Sequence, residues 1–219
     1  MVLTIDKTLK IGIQTIHREP DDQDGPWLPK IDELVEFVEL VDSSGFDSLW
    51  VGDHLSMPLP FFDPFQQLAQ AAVASRRLLL GTSVYLLPLR HPGPVAKQAI
   101  TLDHLSEGRL LFGVGIGGEF PKEYEVAGVP MNERGARLSE SIEVMRELWS
   151  GEPASYNGKF FNFSEVRMTP PPRQKNGPPI WCGGRKDAAF KRMGRLADGY
   201  VSYVVTPEMY RDALVKIEQ

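Results

Sequence analysis

Residues 97–117 read KQAITLDHLSEGRLLFGVGIG, and the fold follows from the change of period inside this stretch. From Val95 to Leu105 the apolar residues recur at helical intervals. Ser106-Glu107-Gly108 breaks that period, and RLLFGVG (109–115) follows as a short, almost unbroken apolar run. A strand with one face in water alternates apolar and polar residues. An unbroken run is buried on both faces, as in a parallel sheet covered by helices.

The same alternation repeats in both directions. KIGIQT (10–15), SLWVG (48–52) and LLLGTSV (78–84) stand before it as strands, and IWC (180–182) and GYVSY (199–203) after it. Between them lie helical periods. Ile31, Leu34, Val35, Val38 and Val41 share one face, with Gly45 placed as a C-terminal cap. Residues 64–75 and 187–196 read as helices, and Leu138, Ile142, Met145 and Trp149 line another that Gly151 closes. SYNGKFFNF (155–163) differs: its aromatics around Asn157-Gly158 predict a small β-hairpin, inserted at about 153–170. TPPPRQKNGPP (169–179) is a connector, and PEMYRDALVKIEQ (207–219) a last helix.

Strands alternating with helices make an α/β fold. The expectation is a single TIM-barrel domain over 1–219, in which six βα units are visible. Its competitor, an open doubly wound sheet, carries a Gly-rich phosphate loop directly after the first strand. Here that place is taken by HREPDDQDGPWLPK (17–30).

Composition narrows the function. The net charge of −5, with no basic run longer than Arg76-Arg77, argues against a nucleic-acid partner. A lone cysteine, Cys182, excludes an internal disulfide and reads as a buried, inert thiol. His17, His54, His91 and His104 lack zinc-type spacing, so no metal is expected. Charges interrupt the opening MVLTIDKTLKIGIQ, which is neither a signal peptide nor a membrane span. A cytoplasmic protein without membrane contact fits these features.

In a βα barrel the reactive groups sit where strands run out into the following loops. Those ends are His17, Asp53-His54, Thr82-Ser83-Val84, Gly115-Ile116-Gly117-Gly118-Glu119 and Gly183-Gly184-Arg185. An imidazole at His54 can exchange a proton near neutral pH, with Asp53 orienting it or binding a ligand N–H. Equally, Asp53 caps a turn and His54 is a surface residue. The glycines of GVGIGG (113–118) let a planar ring or a backbone come close. At Gly183-Gly184-Arg185 the N–H groups of a helix start and a guanidinium make an anion site. Asp103, Ser106 and Arg109 frame a turn on the opposite, N-terminal face and read as structural.

As an ordered set, several stretches resemble the luciferase-like monooxygenase family. They are SLWVGDH (48–54), LLLGTSVYLLPLRHP (78–92), KQAITLDHLSEGRLLFGVGIG (97–117), ERGARLSESIEVMRELWSG (133–151), YNGKFFNF (156–163) and PPIWCGGRKDAAFKRMGRLADGY (178–200). The resemblance implies a barrel that binds the deazaflavin coenzyme F420 or, as the alternative, FMN at its C-terminal mouth. It implies a bulge at Ser83-Val84, often with a non-proline cis peptide, pressed against the ring. Asp53 and His54 take the positions that contact the deazaflavin and the hydride-transfer site. Thr82, Ser83, Val84, Gly115, Ile116 and Gly117 are the further cofactor contacts, and Gly183, Gly184 and Arg185 the phosphate turn. With a one-residue gap, Glu119 takes the place of a catalytic glutamate in some members.

The function expected is an F420-dependent oxidoreductase passing a hydride between the deazaflavin and a small organic substrate. The alternatives are an FMN-dependent monooxygenase and a shortened, non-catalytic flavin-binding protein. Residues 17–30 and 55–62 are expected to wall the substrate pocket, and the assembly to be a homodimer. Members of the family usually continue through a seventh and eighth strand, so the (β/α)8 barrel is expected to lack its last one or two βα units, with either an open side between the first and sixth strands or an intermolecular contact covering it.

Overall fold

The computed structural model describes residues 9–15, 30–58 and 60–218. Six parallel strands form one curled sheet: β1 (Gly12–Gln14), β2 (Ser48–Val51), β3 (Leu79–Thr82), β4 (Leu110–Val114), β7 (Ile180–Gly183) and β8 (Gly199–Val201). They neighbour one another in that order, with registers such as Trp50 opposite Gly81 and Phe112 opposite Ile180. β5 (Ala154–Asn157) and β6 (Asn162–Val166) pair antiparallel as a separate hairpin. The helices are α1 (Ile31–Ser43), α2 (Pro64–Ala74), α3 (Pro92–Leu105), α4 (Pro121–Val126), α5 (Arg134–Leu148), α6 (Asp187–Leu196) and α7 (Pro207–Ile217). The result is an incomplete barrel of α/β type, with β1 and β8 as the two ends of its sheet.

Each strand points one set of side chains at the helices and the other into the barrel. The outward set, including Leu49, Val51, Leu80, Phe112, Val114, Ile180 and Cys182, is buried against Leu68, Ala99, Ile100, Ile142, Met145 and Trp149. The inward set is different. Trp50 and Trp181 fill the interior with ring centroids 5.5 Å apart, and the strands beside them carry glycine. A Cβ on Gly81 would fall 2.2 Å from the Trp50 ring, and one on Gly199 2.8 Å from that of Trp181. Two indoles thus replace the branched aliphatic layers common in such barrels.

Local signals set the joints. Gly45 closes α1 at φ 84°, a conformation that favours glycine, with its N–H donated to the Asp42 carbonyl. Asp63 caps α2 by accepting from the N–H groups of Phe65 and Gln66. Burial pushes the Cys182 thiol up to about 12, so it stays protonated as a core side chain.

Candidate functional site at the mouth of the half-barrel

The mouth is organised by an irregularity after β3. Gly81 lies opposite Leu111, yet Tyr85 bridges Val114, so one extra residue is inserted on the β3 side. The Ser83–Val84 peptide within this bulge is cis. Glycines make room for the bulge. A Cβ on Gly113 would fall 1.9 Å from the Thr82 carbonyl oxygen, and those on Gly115 and Gly183 would fall 2.5 Å and 3.1 Å from Val84 methyls. Val84 therefore sits as a shelf on Gly115 and Gly183. The space these two glycines clear is filled by that side chain. From β1, the Gln14 side-chain amide donates to the Ser83 carbonyl at 3.2 Å.

Asp53 leaves β2 as a buried residue, 3% exposed. Its carboxylate accepts from both terminal nitrogens of Arg90, at 2.5 and 2.9 Å, and from the Leu86 N–H at 2.8 Å. The Arg90 guanidinium also lies 4.4 Å over the Tyr85 ring. Burial opposes the Arg90 charge, but the hydrogen bonds and charge of Asp53 more than offset it and hold its pKa above the usual value. Asp53 is thus committed to anchoring the chain after the bulge, and it does not orient His54.

The carboxylate that touches His54 is Glu123, on α4. Its Oε1 lies 3.1 Å from His54 Nδ1 and accepts from the N–H groups of Leu55 at 2.7 Å and Ser56 at 3.4 Å. The imidazole is set edge-on between Phe61 and Phe120, at centroid distances of 4.8 and 5.4 Å. Next along α4, the Tyr124 hydroxyl donates to the Ile116 carbonyl. One short helix therefore ties the loop after β2 to the loop after β4.

The remaining expected residues divide. Thr82 is fully buried and donates its hydroxyl to the Gly113 carbonyl at 2.7 Å, so its side chain belongs to the wall rather than to a ligand surface. Glu119 is exposed on a bend, and the carboxylate that contacts His54 is that of Glu123. Gly117, at φ 57°, packs against Leu86. At Gly184 a Cβ would fall 2.5 Å from that of Ala189, so this glycine serves the packing of the turn on α6. Arg185 is exposed, with its guanidinium 5.6 Å over the Tyr203 ring. His17 lies outside the described residues, as does most of the expected pocket wall at 17–30.

Sequence reasoning missed Arg90, Glu123 and the whole of α4. Pro121 at its start and Gly128 just beyond its end, at φ 66°, are the signals that bracket it. Among the described residues no cluster of three or more His, Cys, Asp or Glu could hold a metal ion. Among the same residues no helix is long and apolar enough to cross a membrane.

Known proteins share this architecture. The monooxygenase RslO1 from Streptomyces bottropensis superposes with a TM-score of 0.83 at 26% identity, over 96% of this chain and 65% of its own. An F420-dependent glucose-6-phosphate dehydrogenase from Microbacterium testaceum is 32% identical across 94% of this chain and 62% of its own length. The oxygenase component of a flavin-dependent trigonelline monooxygenase from Acinetobacter baylyi is 33% identical across 70% of this chain and 43% of its own. In each case the chain spans less than two thirds of the relative's length. The profile of one family, described as luciferase-like monooxygenase, matches residues 9–219. The chain belongs to that family.

Proposed function

We propose that this chain forms the cofactor-binding part of an oxidoreductase that uses coenzyme F420 to exchange a hydride with a small organic substrate. The observation that carries the reading is the mouth itself. Val84 provides an apolar shelf on Gly115 and Gly183, and the imidazole of His54 is held at the same mouth by Glu123. A flat heteroaromatic ring fits such a shelf. The first turn of α6 has no side-chain cap; the Ala189 N–H returns to the Lys186 carbonyl at 2.8 Å, which leaves the N–H groups of Asp187 and Ala188 for the phosphate of the cofactor's tail, with Arg185 and Lys186 adjacent.

When bound, the deazaflavin supplies the hydride chemistry, and the protein positions the ring and handles protons. The role left for His54 is to accept a proton from the substrate hydroxyl or return it to the carbonyl. Asp53 acts through Arg90 and the Leu86 N–H, by holding the bulge in place. The 32% identity to an F420-dependent dehydrogenase over 94% of the chain supports F420. The likeness to the flavin-dependent trigonelline monooxygenase supports a second reading, an FMN-dependent monooxygenase.

Titration with each cofactor separates the two: tighter binding of F420 is expected, and equal or reversed affinity moves the assignment to FMN. Turnover of an alcohol, aldehyde and sugar-phosphate panel with the favoured cofactor then separates an enzyme from a non-catalytic flavin-binding protein. His54→Ala should lower that turnover by about 10²–10⁴-fold with little change in cofactor affinity. Full activity in the variant removes His54 from the mechanism.

A further inference from the structure

We infer that Glu123 is a positioning residue, which fixes the His54 imidazole with its hydrogen on Nδ1 and leaves Nε2 to meet the reacting proton. This rests on the reading of His54 as the proton-handling group. Glu123 Oε1 is approached by the backbone N–H groups of Leu55 and Ser56, at 2.7 and 3.4 Å. A backbone N–H can only donate, so Oε1 is an acceptor here and carries no proton of its own. The third group at that oxygen, His54 Nδ1 at 3.1 Å, must therefore be the donor.

Three features keep the arrangement from relaxing. Glu123 is fully buried, so water does not compete for Oε1. Phe61 and Phe120 flank the imidazole edge-on and oppose its rotation. The two backbone N–H groups pin the carboxylate to the segment that carries His54, so the donor and the acceptor move together. A neutral imidazole that donates from Nδ1 exposes a bare Nε2, and a group bound at one ring nitrogen thereby sets the chemistry of the other. Glu123, and not the adjacent Asp53, is the carboxylate in contact with the His54 ring.

The test is the nitrogen-15 spectrum of histidine-labelled protein, with the ring in its neutral form and His54 assigned by the loss of its signals in His54→Ala. The wild type is expected to show a protonated Nδ1 and a bare Nε2. Glu123→Ala should mix the two tautomers and lower kcat by about 10–100-fold, the usual scale for partners that orient a functional histidine, with cofactor affinity within twofold. Glu123→Gln keeps an oxygen acceptor and should retain the Nδ1-protonated signature while losing less of kcat than Glu123→Ala. If Glu123→Ala does not fold, the wild-type and Glu123→Gln spectra still decide. A wild-type ring protonated on Nε2 overturns the role of Glu123. So does a Glu123→Ala protein that keeps its tautomer and loses only stability and cofactor affinity. Full turnover in His54→Ala instead overturns the reading of His54 on which the role depends.

Discussion

At the N-terminal ends of the strands, Asp47 accepts the Ile11 N–H at 2.9 Å, Asp103 that of Gln174 at 2.9 Å, and Asp198 that of Ile180 at 2.7 Å. Arg109 spans the same face, donating to the carbonyls of Ser106, Leu78 and Ala72. At the C-terminal ends the anchoring is of another kind. Asp53 is paired with Arg90, Glu123 gathers the loop after β2, and Tyr124 holds the loop after β4. The lower face locks backbone where a strand or its lead-in begins, so its polar groups act on register and stability. The upper face uses a buried ion pair and side-chain contacts to aim loops, and among the described residues His54 Nε2 makes no hydrogen bond. One end fixes the scaffold, and the other, in the function proposed above, directs groups at a ligand.

The largest effect is expected where that difference is sharpest. Arg90→Met leaves Asp53 charged and 1% exposed at its side chain, without its cation. Breaking one side of a buried pair costs about 3–5 kcal/mol, and the 18% exposure of Arg90 places this case near the lower end. Chemical denaturation measures it, and cofactor affinity should fall as well, because Asp53, which anchors the Leu86 N–H, loses the cation that holds it in place. A loss below about 1 kcal/mol would mean that the mouth, like the lower face, is carried by backbone contacts.

Arg109→Met is the matching change below. It removes a charged donor from three carbonyls but strands no opposite charge, so a smaller cost of about 2 kcal/mol is expected. Cofactor affinity should stay unchanged. A fall in affinity as large as that of Arg90→Met would erase the division between the two ends.

Gly115→Ala presses on the shelf alone. The added methyl would meet Val84 at 2.5 Å, an overpacking worth about 1–2 kcal/mol, since a half-buried valine can yield in part. Pairing it with Val84→Ala should return the stability but not the cofactor affinity. Recovery of both would show that the ligand does not rest on Val84.

The sheet was legible because its strands are apolar runs too short for helices, and the order of six βα units followed from that alone. The interior was not, since an apolar run does not reveal that Trp50 needs glycine at 81 on the strand beside it. At the mouth, the candidate positions could be read from the strand ends, but the contacts of their side chains could not. Asp53-His54 stood out beside each other in sequence, but their partners lie 37 and 69 residues away. Glu123 is one of three acids in EFPKEYE (119–125), on a helix of six residues with no stripe long enough to read as a period. Of the three, Glu119 is exposed and Glu123 is buried against His54, a difference that residue type alone does not reveal.

The smallest effect tests the lower face by pH. The Ile11 N–H, and then Lys10, hold the Asp47 carboxyl below the ordinary aspartate value of 3.8. Ser75, and then Arg77, do the same for Asp42, against the opposing effect of burial. A folded pKa below the unfolded one means that the unfolded chain binds more protons in acid, so stability rises with pH through this window. The contribution is complete above the unfolded value and is lost as pH falls through the folded one. Unfolding midpoints followed from pH 6 to about pH 2 should therefore drop more steeply in the wild type than in Asp47→Asn, with the two curves converging in acid. The gap should be small and should shrink in salt, because Lys10 and Asp47 are 74% and 26% exposed. Cofactor affinity should be equal in the two proteins wherever both are folded. Parallel curves across the whole range would show that the Ile11 contact holds no register.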